Sequence, residues 1–303
     1  MQIINEEYNK FFHRQIQLFG EDTQKSLLNK KILIIGCGGL GCSLGIALGS
    51  SGIGQIDLVD FDEVSLHNIH RQIAFQTTDV GRKKCEILKE LILSRNPYVS
   101  VNYYDCDFDT FITTNYKLQT TNYDLIIDAT DNLPTRAKID TFAKTINTPW
   151  LYGSVEEFHG HVCLFKNVSF DSVFQISNKT PEGIAAPIVM QIASLQANIA
   201  LRYLCGLRVI SDKLYYCYFD RDGDFSIQKF GLWGVMKFIK IILFNITLVI
   251  TLSGCVAELM LAGTAVSVAA TAQEVEEDHK GNIWDYITDK YHSLKSYVER
   301  KVN

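Results

Sequence analysis

The sequence predicts an α/β domain, with a doubly wound, mostly parallel sheet and helices on both faces. A short helical arm precedes it and a hydrophobic, helical tail follows. Three observations carry this. Apolar, β-branched runs recur at residues 31–35, 56–60 and 125–127, the pattern of strands buried on both faces. A glycine cluster, Gly36-Cys37-Gly38-Gly39-Leu40-Gly41, follows the first run at once. Residues 40–48 then suit a helix, giving strand, tight turn and helix start in order.

Each element has a local reason. Residues 1–29 form the arm. In the loop, glycine lets the backbone turn sharply and approach an anion, which exposed N–H groups and the helix dipole favour. Asp60 ends the second strand about 20 residues past the loop, where a carboxylate binds ribose hydroxyls. To this point the pattern fits a dinucleotide. Residues 105–122 are polar and Thr-rich, suiting a short helix with surface loops. The last of these runs, residues 125–127, leads into Asp128-Ala129-Thr130-Asp131-Asn132, which sets acids at a strand's carboxyl end, where open α/β sheets hold ligands. Ile188, Ile192, Leu195, Ile199 and Tyr203 recur at helical spacing over residues 185–205. Residues 214–219 and 225–230 read as a hairpin turning at Asp222-Gly223.

The block beyond Asp60 changes the ligand. A nicotinamide enzyme has no need of Asn68, Arg71, Gln72 and Lys84, whereas a triphosphate does. Lys84 sits in Arg82-Lys83-Lys84 and is favoured over its two neighbours to meet phosphate. A carboxylate near phosphates points to Mg²⁺, with Asp131 or Asp128 as its ligand. His159 and His161 share a strand face without a third ligand nearby and read as structural.

The chain resembles the ThiF/MoeB/HesA group, bacterial relatives of ubiquitin-activating enzymes. The matching pieces are His13-Arg14-Gln15, Gly36 to Gly41, Asp60-Phe61-Asp62-Glu63-Val64 and Asn68-Ile69-His70-Arg71-Gln72. They continue through Val80-Gly81, Lys84, Asn96-Pro97, Thr130-Asp131-Asn132, Ala186-Pro187 and Ser194-Leu195-Gln196-Ala197. The resemblance implies a Rossmann-like fold over residues 30–232. It also implies adenylation, by ATP and Mg²⁺, of the C-terminal glycine of a small ubiquitin-like sulfur carrier. Carried over by position, Gly36, Gly38, Gly39 and Gly41 shape the ATP loop and Asp60 holds the ribose. Asn68, Arg71 and Lys84 bind phosphates, and Asp131 holds the metal. Arg14 lies in an arm that reaches into a partner's site, which implies a homodimer. The carrier ends in Gly-Gly. A ThiS-like carrier of thiamine thiazole synthesis is favoured over the molybdopterin synthase carrier. The rival class is a family member that binds nucleotide or carrier without turnover.

Two departures shape the expectation. The group's Cys-x-x-Cys pairs are missing among the eight cysteines, so zinc is not expected. Asn178-Lys179-Thr180-Pro181, before Ala186-Pro187, offers no thiol for a covalent sulfur step. A net charge of −5, without a basic stripe, gives no reason to expect nucleic acid. Residues 1–232 read as cytoplasmic.

The tail has another character. Residues 236–254 carry a short basic start, an apolar stretch and then Leu252-Ser253-Gly254-Cys255. That order resembles a bacterial lipoprotein signal with Cys255 as the lipidation candidate. The favoured reading is a second reading frame fused after the domain. A membrane anchor over residues 236–254 and a buried core helix are the rivals. Residues 255–303 end in an amphipathic helix carrying Ile283, Ile287, Tyr291, Leu294 and Val298 on one face.

Overall fold

The computed structural model describes residues 6–115, 122–174, 183–220 and 222–232. Contacts gather the chain up to Leu232 into one compact unit. It opens with α1 (Glu6–Phe11), α2 (His13–Phe19) and α3 (Glu21–Leu27), then β1 (Lys31–Ile35), α4 (Gly39–Gly49), β2 (Gln55–Val59), α5 (Lys84–Arg95) and β3 (Ser100–Tyr104). The short α6 (Phe108–Thr110), β4 (Leu125–Asp128), α7 (Leu133–Thr145), β5 (Trp150–Glu156) and β6 (His159–Phe165) come next. Last are α8 (Ala186–Leu204), β7 (Lys213–Phe219) and β8 (Phe225–Gly231), the expected helix and hairpin.

One eight-stranded sheet runs β3-β2-β1-β4-β5-β6-β7-β8. The strands from β3 to β5 are parallel, and those from β6 to β8 extend the sheet antiparallel. Strand order reverses at β1, whose neighbours β2 and β4 lie on opposite sides. That reversal opens a crevice beyond the carboxyl ends of β1 and β4.

Alternate strand residues serve two cores, as the period of a strand requires. Ile32, Ile34, Ile56, Leu58, Leu125, Ile127 and Leu151 join one buried cluster with residues of α4, α5 and α8. On the other face Trp150 stacks on Phe165, with ring centroids 4.9 Å apart, and donates its indole N–H to Asp140 of α7 at 3.0 Å. β2 also holds a fully buried acid. Asp57 accepts from Tyr123, Asn102 and Gln55 and pairs with Lys31 at 3.2 Å.

The N-terminal arm docks at the far end of α4. Gln15 and Gln24 both donate to the Ser51 carbonyl, at 2.9 and 3.2 Å. Asn96 ties the end of α5 to the same region through the Gly49 carbonyl, at 2.7 Å.

His159 and His161 lie on β6, as expected, and His161 stacks on Tyr216 with centroids 4.7 Å apart. Burial, aided by the charges of His159 and Arg136, pulls the His161 pKa down to about 4. An unfolded histidine titrates near 6.5, so between about pH 6.5 and 4 the unfolded chain holds the extra proton. Stability is therefore expected to fall with pH through that window, by about 3 kcal/mol at its acid end. Urea unfolding of His161→Gln should lack this component. An unchanged pH slope in the variant would contradict it.

Candidate functional site

The loop between β1 and α4 is shaped by steric necessity. Gly36 has φ +95°, in the left-handed region, and a Cβ there would sit 2.5 Å from the Ala129 carbonyl oxygen. A Cβ on Gly41 would come within 2.0 Å of the Gly36 carbonyl oxygen. The loop thus closes on itself and on the end of β4. Gly39 packs against Val189 of α8, where a Cβ would lie 2.7 Å from Cγ1. Among the described residues no side chain caps α4, so its first N–H groups face the crevice with the helix dipole behind them.

Asp60 follows β2 and braces this loop. Its Oδ2 accepts the Cys37 N–H at 2.5 Å, and its Oδ1 accepts the Asp62 N–H at 2.7 Å. Burial raises the Asp60 pKa, opposed by these two bonds and by the charge of Lys84. Residues 62–64 run antiparallel to residues 82–84, with Val64 N–H donating to Arg82 and Lys84 N–H to Asp62. That pairing separates the three basic residues. Arg82 turns to Glu90 at 2.8 Å, and Lys83 to Glu63 and Asp105 at 3.3 Å. Lys84 is buried and meets Asp62 at 2.6 Å.

The turn carrying Asn68, Arg71 and Gln72 packs on the loop. Asn68 is buried, and its Oδ1 accepts the Ser65 N–H. Its own carbonyl accepts from Arg71 and Gln72. Arg71 donates to the His67 carbonyl at 3.0 Å and contacts His70 Nε2 at 2.8 Å. Gln72 is buried beside Gly38, and its Oε1 has no hydrogen-bond partner among the described residues.

The two candidate acids after β4 part company. Asp128 is fully buried, and its Oδ1 accepts from the Thr130 N–H and hydroxyl. Its Oδ2 accepts from Arg136 Nε at 3.1 Å. Asp131 is exposed, with the Asn132 amide 3.4 Å from its Oδ1. Asp128 is thus committed to the protein, while the Asp131 carboxylate has coordination to offer. Arg136 was not foreseen. It bridges the Thr130 and Gly153 carbonyls and lies over the Tyr152 ring, fixing the segment that bears Asp131. Its sequence signal is its place on α7 one turn before the buried Ile139 and Asp140. Gln196 of α8 donates to the Asp128 carbonyl at 2.9 Å.

The fold therefore sets the loop of Gly36, Gly38, Gly39 and Gly41 against Asp60, the turn of Asn68 and Arg71, and the end of β4 just before Asp131, with Lys84 held on Asp62. It does not bring Arg14 to them. That residue is exposed on α2 and donates to Gln17, while its neighbour Gln15 is anchored at the opposite end of α4. The 11 residues of α4 put about 16 Å between the two ends.

Residues 178–181, residues 236–254 and Cys255 lie outside the described residues. Among the described residues no helix is long and apolar enough to cross a membrane, and no group of three or more His, Cys, Asp or Glu could hold a metal ion.

Sheet order and the glycine loop define a Rossmann-like α/β protein. A model of the ThiF family matches residues 12–225, and the chain belongs to that family. It is 33% identical over 192 residues to an adenylyltransferase and sulfurtransferase MOCS3 of Caenorhabditis briggsae, covering 59% of this chain and 46% of that one. It is 29% identical over 206 residues to the molybdopterin-synthase adenylyltransferase of Escherichia coli, covering 64% of this chain and 82% of that protein. The chain spans about half the length of several curated relatives it matches. Among solved structures, PaaA aligns with a TM-score of 0.65 at 24% identity, covering 77% of this chain and 76% of that one. Escherichia coli MccB with ATP aligns with a TM-score of 0.64 at 20% identity, covering 76% and 72%. These structures share the fold.

Proposed function

We propose that this chain adenylates the C-terminal glycine carboxylate of a small ubiquitin-like sulfur-carrier protein, using ATP and releasing pyrophosphate. One observation supports the reading: beside the uncapped N-terminus of α4 the fold sets a carboxylate at the end of β2 that braces the glycine loop, with a buried lysine on the neighbouring segment and an exposed aspartate after β4. A hydride-transfer site has no use for the last two.

The residues present fit ATP and Mg²⁺. Gly38 leaves backbone open to a phosphate, and the Gln72 amide nitrogen, a donor, lies beside it. Asp60 takes the ribose hydroxyls; Asn68, Arg71 and Lys84 take phosphate oxygens. Asp131 would hold Mg²⁺, which neutralises phosphate charge and is commonly bound by one or two carboxylates plus the phosphates themselves. The carrier carboxylate attacks the α-phosphorus, forming a new C–O–P link as the bond to the β-phosphate breaks. That carboxylate is already ionised at neutral pH, so positioning and charge neutralisation carry the rate. Arg14, far from its own crevice, suits a role in a second copy's site and so a homodimer.

A ThiS-like carrier of the thiazole branch is the finer reading. The relatives named for molybdopterin synthase favour its carrier subunit as the second. ATP–pyrophosphate exchange with a Gly-Gly-ending carrier of each kind tests both. Label should enter ATP only when carrier is present. ATP binding without exchange from either carrier would replace the enzyme with a binding module.

A further inference from the structure

We propose that Asp62 is a positioning residue that presents Lys84 to the triphosphate and couples the phosphate subsite to the ribose subsite. The inference rests on the adenylation reading and deepens it.

The Lys84 side chain is 6% exposed, whereas that of Asp62 is 48% exposed. A nearly buried ammonium needs a counter-charge to stay in place, while a half-exposed carboxylate is content in water. Asp62 therefore serves Lys84 more than Lys84 serves Asp62. The hold has two points: the Asp62 carbonyl accepts the Lys84 backbone N–H at 3.1 Å, and Asp62 Oδ2 accepts from Nζ at 2.6 Å. A lysine stem with four rotatable bonds is thereby fixed before any ligand arrives, removing an ordering cost from binding. Asp62 is in turn fixed by Asp60, whose Oδ1 takes the Asp62 N–H while its Oδ2 takes the Cys37 N–H of the loop. A continuous path of hydrogen bonds thus runs from the glycine loop through Asp60 and Asp62 to the Lys84 ammonium. When phosphate oxygens take the ammonium, Asp62 turns its carboxylate to water, which its exposure allows.

The test uses the full chain and two probes, a non-hydrolysable ATP analogue with Mg²⁺ and plain adenosine, titrated by calorimetry. Asp62→Asn is expected to weaken the analogue about tenfold, the worth of one charge-assisted hydrogen bond. Adenosine, which lacks the phosphates, should bind the variant as it binds the unaltered chain. Because Asp62 acts through Lys84, Asp62→Asn placed on Lys84→Ala should add no further loss. Additive losses would overturn the proposal and leave the adenylation reading standing. An equal loss for adenosine would make Asp62 merely structural. An unaltered chain that binds no analogue would overturn both.

Discussion

Replacing Arg136 with methionine is expected to cost the fold about 3–5 kcal/mol, the loss that follows when one partner of a buried ion pair is removed. Asp128 is fully buried, and burial already raises its pKa against the pull of Arg136 and Thr130. Without the guanidinium, Asp128 must stay charged without a counter-ion or take up a proton. The Thr130 and Gly153 carbonyls lose a donor as well. The sign with pH follows: a folded-state pKa raised above its unfolded value gives stability that is present in acid and lost as pH rises. The deficit of Arg136→Met should therefore shrink towards about pH 4. Urea unfolding at several pH values reads both effects, and adding Asp128→Asn should recover part of the loss. A single-variant loss below about 1 kcal/mol would remove Arg136 from the centre of the fold.

Asp131→Ala is expected to lower ATP–pyrophosphate exchange roughly a thousandfold, the several kcal/mol that a metal on phosphoryl oxygens supplies. Its stability should change by less than about 0.5 kcal/mol, because the side chain is exposed. Asp128→Ala should show the reverse emphasis, with unfolding as the first symptom. Exchange that survives Asp131→Ala in a folded protein would refute the metal role.

How much of this was legible depended on the range of the constraint. The path from Lys31 to Gly49 could be read because its causes are local: a buried strand's apolar run, a glycine with positive φ, and a helix start. The α8 helix and the β7–β8 hairpin declared themselves by periodicity and by turn residues. Asp60 was placed by its distance from the loop. The burial of Lys84, against the greater exposure of Lys83 and Arg82, was not legible, because it turns on which side chain the pairing of residues 62–64 with 82–84 aims inward. Nor was Arg136, whose sequence neighbourhood looks like an ordinary helix start.

By itself, then, the sequence determined the strand–loop–helix, the acid at the end of β2, and the polar block that follows it. The tertiary structure decided which of those groups are free to act. It buried Asp128 against Arg136 and left Asp131 exposed, clamped Lys84 on Asp62, and anchored the arm so that Arg14 lies a helix length from its own loop. The physical reason is that burial and counter-charge come from elements distant along the chain. A residue's chemistry is written in its identity, but its charge state, partners and reach are set by what folds over it.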